Sequence, residues 1–271
     1  MSKLPRIVRG ERQKELAKVF DDACQRHNRW QVWSDFMTMF AIAISNAVDK
    51  EQAPAREEMY MTLVKKYNER ETGCMAKMFA LIVDAMEENP DQDFLGDLYM
   101  AFELGNNQNG QFFTPYSVCA MTAKLEGNIS DKVKGKGWIS CSDPACGAGA
   151  LLVAFANECR AQKINYQTDV LFVAQDIDFV TACMCYIQLS LLGCPGYVVI
   201  GNTISNPATS LDSRGMIPTP GQNIWYTPMY FRDIWIARRA AAMSDLMQGR
   251  KKEPEKLPEM KATESGQLTL F

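Results

Sequence analysis

A glycine-rich turn between an apolar run and a helical pattern constrains the fold of this chain more than any other feature. Residues 143–149 read Asp-Pro-Ala-Cys-Gly-Ala-Gly. Glycines permit positive φ angles and leave the main chain open to a ligand, and a helix N-terminus beside them favours anionic groups. Asp176 ends the next apolar run, where a carboxylate can accept hydrogen bonds from a ribose. The layout predicts a nucleoside-containing cofactor; the alternative is a packing turn followed by a helix-capping Asp.

Strand and helix patterns alternate around this turn. Strands are predicted at 138–142, 170–175 and 197–200, and helices at 150–162 and 179–192. Such alternation is typical of an α/β fold with a parallel, doubly wound sheet, whose ligands bind beyond the carboxyl ends of the strands. After Asn202 the pattern fades into loop residues, and a final helix is predicted at 230–247.

The first part of the chain is predicted to be helical. Between residues 11 and 104 apolar residues recur at helical intervals, which fits four or five helices. Pro54 lies near one helix start, and Thr72 is predicted to be an N-cap. A polar link rich in Gly and Asn follows Leu104. We therefore expect a helical N-terminal domain (1–104), a cofactor-binding domain (105–248) and a tail (249–271).

Composition limits the class of protein. The chain has 271 residues, 47% hydrophobic and 23% charged, with a formal net charge of −3. These values exclude disorder, collagen and a strongly basic nucleic-acid tail. No apolar run approaches the roughly 20 residues of a membrane span, so we expect a cytoplasmic protein without a membrane partner. Nine cysteines at irregular spacing predict reduced thiols, and a single histidine leaves no Cys/His zinc cluster and no predicted metal site.

The turn also carries a family resemblance. Asp-Pro-Ala-Cys-Gly-Ala-Gly closely resembles the first motif of adenine-N6 and related amino-group DNA methyltransferases, notably the modification subunits of type I restriction systems. The dinucleotide fingerprint spaces its glycines differently, so S-adenosylmethionine (SAM) is favoured over NAD. The resemblance implies a Rossmann-like SAM-dependent methyltransferase domain that acts on DNA. It also implies cofactor contacts from Asp143, Pro144, Ala145, Gly147 and Gly149.

A second element precedes the turn. Residues 110–115, Gly-Gln-Phe-Phe-Thr-Pro, resemble an upstream element of the same family. Taken locally, Thr114 is predicted to be an N-cap and Pro115 a first-turn residue. The resemblance implies that Phe113, Thr114 and Pro115 wrap the methionine end of the cofactor. An ordinary capped helix is the alternative.

Two further segments are similar to family motifs. Residues 175–178, Gln-Asp-Ile-Asp, resemble the acidic strand end of the family, which implies that Asp176 holds the ribose and Ile177 packs on the adenine ring. Residues 201–203, Gly-Asn-Thr, resemble the motif after the third strand. There the Asn202 side chain is expected to bond the adenine amino group, with a simple turn as the alternative.

The sequence departs from the family at the acceptor motif. The family handles the flipped target base with Asn-Pro-Pro-Tyr or Asn-Pro-Pro-Phe, and this sequence contains neither. One substitute is Asn206-Pro207, which keeps the amide. The other is Thr227-Pro228-Met229-Tyr230, which keeps the tyrosine.

The sheet is expected to be truncated relative to larger family members, because no later strands are predicted. A partner chain that supplies specificity or catalysis is therefore a further expectation. A local basic segment, with Arg232, Arg238, Arg239 and residues 250–252, is a candidate DNA contact or a solvated helix face.

The last five residues, Gln-Leu-Thr-Leu-Phe, place apolar side chains on a polar tether. They resemble the bacterial sliding-clamp-binding motif, which implies clamp contacts from Gln267, Leu268, Leu270 and Phe271. A final strand at a sheet edge is the alternative.

Together these resemblances imply a SAM-dependent DNA methyltransferase, adenine-N6-specific and nucleoid-associated, that flips its target base and transfers the methyl group in line. One alternative is a catalytically silent SAM-binding or DNA-binding accessory protein recruited to the clamp, and methylation of protein or RNA is a third possibility.

Overall fold

The computed structural model describes residues 10–104 and 113–247. Five helices come first: α1 (Glu11–Ala23), α2 (Arg29–Val48), α3 (Ala53–Val64), α4 (Glu69–Glu88) and α5 (Phe94–Ala101). The α/β part follows: α6 (Tyr116–Leu125), α7 (Ile129–Lys136), β1 (Ile139–Asp143), α8 (Ala150–Ala161), α9 (Tyr166–Asp169), β2 (Val170–Asp176), α10 (Phe179–Leu191), β3 (Gly196–Ile200), β4 (Asn223–Tyr226), a 3₁₀ helix (Pro228–Phe231) and α11 (Asp233–Met247).

Helix starts in the N-terminal region follow local capping chemistry. Pro54 lies in the first turn of α3, as predicted. The N-cap of α4 is Asn68, whose side chain accepts a hydrogen bond from the backbone N–H of Glu71, while Glu71 accepts one from the backbone of Asn68. The prediction that Thr72 caps this helix was therefore wrong. The reciprocal Asn68–Glu71 pair satisfies two backbone donors one turn earlier.

In the part of the chain that the structure describes, the sheet has four strands in the order β1-β2-β3-β4. Strands β1, β2 and β3 are parallel, with Asp143 opposite Ala174 and Asp176 opposite Ile200. This confirms the predicted α/β class with a parallel-type sheet. Strand β4 was not predicted; it pairs antiparallel to β3, with Ile200 opposite Asn223.

Two apolar cores lie on opposite faces of the sheet. Along β2, Val170, Phe172 and Ala174 face the larger core with α8 and α10, whereas Leu171 and Val173 face the smaller core with Trp235 of α11. This alternation follows from the period of two in a strand. Because β2 is covered on both faces, it is a continuous apolar run, as buried parallel strands are.

The larger core continues without interruption into the N-terminal helices. It contains Phe20 and Trp33 as well as Leu152 and Phe172. The boundary predicted at residue 104 therefore divides elements that share one core, and the division into two domains remains a prediction.

Arg56 of α3 joins the N-terminal helices to the sheet. Its guanidinium is buried, pairs with Asp49 at 2.9 Å and donates to the Ile224 carbonyl at 2.7 Å. It also lies 4.1 Å from the centre of the Trp225 ring. The ion pair and the ring contact together compensate for burying this charge. In the described part of the chain, no helix combines the length and apolar character that crossing a membrane requires.

Candidate functional site

The candidate site lies where β1 and β2 end, at the carboxyl edge of the sheet. Asp143 is the last residue of β1, and Asp176 is the last residue of β2. Because these neighbouring strands are parallel, their carboxyl ends lie at the same edge. The connection from β1 to α8 crosses this edge and contains the glycine-rich turn.

The turn needs glycine at two positions. Gly147 has a φ of +51° and Gly149 a φ of +95°. A Cβ atom on Gly149 would lie 2.8 Å from the Cys185 Sγ atom, closer than real side chains approach. Gly149 is also the N-cap of α8 and makes no side-chain cap hydrogen bond. The backbone N–H groups of the first turn of α8 therefore receive no acceptor from an N-cap side chain.

Asp176 binds the turn directly. One carboxylate oxygen accepts a hydrogen bond from the Gly147 N–H at 2.8 Å, and the other accepts one from the Asp178 N–H at 2.9 Å. The Asp176 carbonyl accepts a hydrogen bond from the Gly201 N–H at 2.9 Å. The two motifs that the sequence placed in one site are therefore in contact, and the loop after β3 joins them.

Asp143 holds the beginning of the turn. Its carboxylate accepts a hydrogen bond from the Ala145 N–H at 3.1 Å, while Pro144 and Ala145 are exposed. Burial raises the pKa of Asp143 above its ordinary value, the hydrogen bond from Ala145 opposes this, and the charge of Asp176 raises the pKa further. Two carboxyl groups thus share this edge.

Phe113 packs against the turn. The nearest atoms of its ring would lie 3.2 Å from a Cβ atom on Gly147, and the ring also packs on Tyr99, with 5.3 Å between ring centres. Thr114 and Pro115 follow it and are exposed. The N-cap of α6 is Pro115, not Thr114 as predicted, because the Pro115 carbonyl accepts the first hydrogen bonds of the helix.

The loop after β3 closes the same edge. Ile177 is 71% exposed, as an apolar surface for a flat ring would be. Asn202 is exposed, and its side-chain oxygen accepts a hydrogen bond from the Ile204 N–H at 2.8 Å, as in a local turn. Thr203 donates from its hydroxyl to the Pro144 carbonyl at 2.6 Å. Sequence reasoning gave Thr203 no role, although it belongs to the Gly-Asn-Thr segment.

Gln175 is a second residue that sequence reasoning missed. Its side chain is buried at the end of β2. It donates to the Asn206 carbonyl at 2.9 Å and accepts from the Ala208 N–H at 2.7 Å. A polar residue in an otherwise apolar strand was the available signal. Gln175 fixes the loop that carries Asn206.

The two acceptor-motif substitutes lie in different places. Asn206 and Pro207 are in the loop after β3, and the Asn206 side-chain oxygen accepts a hydrogen bond from Gln222 at 3.0 Å. The loop therefore lies at the carboxyl edge with Asp143 and Asp176.

The structure does not bring the second substitute to that edge. The Thr227 hydroxyl donates to the Cys194 carbonyl at 2.7 Å and accepts from the Gly196 N–H at 3.0 Å, at the beginning of β3. Pro228 starts the 3₁₀ helix, and Tyr230 is buried in the smaller core with its ring stacked on Tyr226. The reason is the antiparallel direction of β4, which carries the chain from the carboxyl edge to the amino edge of the sheet.

The predicted basic segment is partly used by the fold. The Arg238 guanidinium lies 4.6 Å from the Trp235 ring centre and donates to the Gly137 carbonyl at 3.2 Å. The Arg239 guanidinium lies 3.8 Å from the Tyr230 ring centre and donates to the Tyr230 carbonyl at 2.8 Å. Burial lowers the pKa of both guanidinium groups. Residues 250–252 and the clamp-motif residues Gln267, Leu268, Leu270 and Phe271 lie outside the described residues.

Metal ligands are not grouped at this edge. Within residues 10–104 and 113–247, no group of three or more His, Cys, Asp or Glu side chains is placed to hold a metal ion. The site instead offers backbone donors, two strand-end carboxyl groups and one exposed apolar side chain. A glycine turn joined to a strand-end carboxylate is the arrangement typical of α/β proteins that bind nucleosides.

Comparison with known proteins identifies the family. The sequence profile described as N-6 DNA Methylase matches residues 90–238, which is more than half of the chain. The protein therefore belongs to the N-6 DNA methylase family, whose cofactor is S-adenosylmethionine.

Two individual proteins are also similar. The type II restriction enzyme and methyltransferase RM.BcgI of Heyndrickxia coagulans is 37% identical over 91 residues, which cover 32% of this chain and 13% of that relative. The chain therefore spans a small part of this relative. A Listeria monocytogenes structure, called a class I S-adenosylmethionine-dependent methyltransferase, has 15% identity and a TM-score of 0.45 over 87% of this chain and 79% of that chain.

The residues of the carboxyl edge fit this cofactor. Position 149 requires glycine because a Cβ atom there would meet Cys185, and this glycine leaves the start of α8 without a side-chain cap. The start of α8 favours a carboxylate. Asp176 is half-buried beside an exposed Ile177, so a hydrogen-bond acceptor for a sugar lies next to an apolar surface for a base.

Proposed function

We propose that this protein binds SAM at the carboxyl edge of β1 and β2 and acts in the methylation of DNA, at the N6 amino group of adenine. The observation that carries the proposal is the 2.8 Å hydrogen bond from the Gly147 N–H to Asp176, which joins the glycine turn to the strand-end acid. Family membership supports DNA as the substrate. The related restriction protein, which is named a restriction enzyme and methyltransferase, supports the same reading.

In this proposal, different residues of the carboxyl edge contact different portions of SAM. SAM, when bound, supplies an activated methyl group on a positively charged sulfur. The turn from Asp143 to Gly149 and the start of α8 hold the amino-acid portion, with Phe113, Thr114 and Pro115 beside it. Asp176 accepts hydrogen bonds from the ribose, Ile177 packs on the adenine ring, and Asn202 bonds the adenine amino group. The target base leaves the duplex before transfer.

The residues that could contact the target amine distinguish an active enzyme from a catalytically silent accessory protein. Asn206 and Pro207 lie at the carboxyl edge and remain candidates for contacting the target amine. Thr227, Pro228 and Tyr230 lie toward the amino edge of β3, too far along the strand to share a site with Asp176. This observation favours a second function, in which the chain binds the cofactor or DNA and a partner chain supplies the missing acceptor motif.

Binding of the cofactor tests the first part of the proposal. Asp176→Ala should weaken SAM binding at least about tenfold in calorimetry, because it removes charge-assisted hydrogen bonds to the ribose. Asp176→Asn separates loss of charge from loss of the acceptor. Asp169→Asn, at the last residue of α9 and just before the start of β2, is the matched control and should bind SAM like the parent. Unchanged affinity in both Asp176 variants would refute the assignment.

Methyl transfer tests the second part. The chain is incubated with tritiated SAM and unmethylated DNA, and label in DNA is counted. Transfer by the chain alone identifies the enzyme. Cofactor binding without transfer, followed by transfer when a partner chain is added, identifies the accessory function.

We also propose that residues 267–271 bind the bacterial sliding clamp, which would raise the local concentration of the protein at newly replicated DNA. Deleting Gln267 to Phe271 should abolish capture by purified clamp and leave SAM affinity unchanged. Capture of the shortened chain at the parental level would contradict this role.

A further inference from the structure

Among residues 10–104 and 113–247, the outer edge of β1 has no partner strand. In the sheet order β1-β2-β3-β4 of these residues, β1 is an end strand and pairs with β2. In doubly wound sheets the strand that leads into the cofactor turn lies in the middle, with further strands on its other side. In the described part of this chain that side of β1 carries no strand. An unpaired row of backbone donors and acceptors is a template for another strand.

A groove follows this open edge. Its volume is 940 Å³, and its wall includes the backbone from Trp138 to Ser142, parts of α6, α7 and α8, and Arg214. Ser140 and Ser142 are exposed, although a strand in the middle of a parallel sheet would be covered there. The groove therefore has the position and the backbone lining that an added strand requires.

Helix α6 presents an apolar stripe beside the groove. Val118, Met121 and Leu125 are 42%, 59% and 78% exposed, and their spacing places them on one face of the helix. Thr122 and Glu126, the neighbouring positions around the helix, line the groove. An apolar stripe that borders an open strand edge indicates a protein partner, because a nucleic-acid backbone would leave the stripe uncovered.

Charge distinguishes between the possible partners. The charged side chains that line the groove are Lys132, Lys136, Arg214 and Glu126, three basic and one acidic, in a chain with a net charge of −3. Glu126 pairs with Lys132, and Arg214 pairs with Asp212, so these four groups and Lys136 together carry a net charge of +1. A second copy placed by a two-fold axis would bring this positive charge against itself. A strand with acidic flanks is electrostatically complementary to it.

We propose that the open edge of β1 and the apolar stripe of α6 form a docking surface for a β-strand of a second, different polypeptide with acidic flanks. The strand pairs with β1, and its apolar side chains cover Val118, Met121 and Leu125. A strand parallel to β1 ends beside Asp143, so its following loop reaches the carboxyl edge. This last step rests on the proposed function, because it makes the partner the source of acceptor-handling residues.

Peptide binding to the full chain tests the surface. Two short synthetic peptides of alternating valine and threonine are compared by fluorescence anisotropy, one flanked by glutamates and one by lysines. The glutamate peptide should bind at least about tenfold more tightly. Met121→Ser with Leu125→Ser should weaken its binding, whereas Met59→Ser, at an exposed methionine of α3, should not.

Charge-reversal variants test whether the lysines that line the groove select the glutamate peptide. Lys132→Glu with Lys136→Glu should abolish or invert the preference for the glutamate peptide. Lys134→Glu lies on the same helix but outside the groove lining and should leave the preference unchanged. Equal binding of the two peptides, no binding of either, or an equal effect of Lys134→Glu would overturn the proposal.

Amide hydrogen exchange of residues 139–143 distinguishes a separate partner from other possible occupants of the outer edge of β1. Exchange in the full chain should be fast, independent of protein concentration and unaffected by ending the chain at Met247. Protection that grows with concentration would assign the edge to a second copy, and protection lost with the tail would assign it to the tail. Displacement of the peptide by duplex DNA would assign it to nucleic acid. Each of these outcomes overturns the proposal, and SAM titration of the same variants reports separately on the cofactor site.

Discussion

Gln188 and Asp93 are buried polar residues that position the glycine turn from the side of the core. Gln188 of α10 is fully buried and donates to the Ala148 carbonyl and to the Asp93 carboxylate, each at 2.8 Å. Asp93 is the N-cap of α5 and accepts a hydrogen bond from the Gly96 N–H at 3.0 Å. The turn, α10 and α5 thus share one polar network inside an apolar core. Such a network is stable only when its members are hydrogen-bonded.

The same network predicts a pH dependence. Burial raises the pKa of Asp93 to about 6, and the hydrogen bonds from Gln188 and Gly96 oppose this only in part. At Asp93 the folded chain therefore binds more protons than the unfolded chain between about pH 4 and pH 6, so the contribution of this group to the free energy of unfolding falls as the pH rises through that interval. The cost of ionised Asp93 at neutral pH is about 3 kcal/mol.

Urea unfolding across this pH range checks the prediction. Asp93→Asn keeps an oxygen acceptor for Gly96 and cannot ionise, so it should lose most of this fall in stability. Asp84→Asn, an exposed carboxyl on α4, should keep the parental profile. Parallel profiles for the parent and Asp93→Asn would contradict the assignment.

At the scale of the element, capping decides where α4 begins. Both Asn68 and Thr72 are residue types that cap helices, and both are followed by a helical pattern. The Thr72 hydroxyl instead donates to the Asn68 carbonyl at 3.1 Å, inside the helix. Only Asn68 has a glutamate three residues later that can complete the reciprocal pair.

Alanine substitutions at Asn68 and Thr72 should show which of the two residues caps the helix. Asn68→Ala should lower the free energy of unfolding by about 1 kcal/mol, because the Glu71 N–H loses its side-chain acceptor. Thr72→Ala, at the position predicted from sequence, should change it by less than about 0.5 kcal/mol. Denaturant titration measures both, and the reverse order of effects would show that the cap lies at Thr72.

At the scale of the whole molecule, one core connects the helical and α/β parts. The larger core includes residues on both sides of the predicted boundary, and Gln188 and Arg56 add polar contacts across it. Elements that share a core unfold together, since exposing one half removes the packing of the other.

Calorimetry of the full chain should therefore give one transition, with equal calorimetric and van't Hoff enthalpies. Separate transitions for residues 1–104 and 105–248 would instead establish two independent domains. Addition of SAM should raise the temperature of the whole transition, because ligand binding to the folded state stabilises everything that unfolds with it.

The strands and helices around the glycine turn were predictable from sequence. The predicted strand at 170–175 and helix at 179–192 agree with β2 and α10 within one residue. Buried parallel strands are apolar runs bounded by turns, so local pattern suffices to find them. Strand β4 was missed because its four residues, Asn-Ile-Trp-Tyr, carry no such run, and pairing with β3 makes them a strand.

The sequence by itself determined the glycine turn, the two strand-end acids and their order along the chain, because these depend on residue type and on distances of a few residues. Only the tertiary structure decided which residues share the carboxyl edge. It placed Thr203 and Gln175 there, moved Thr227 and Tyr230 toward the opposite edge, and left the outer side of β1 open in the described residues. Strand direction and strand order are set by long-range packing, which no local pattern records.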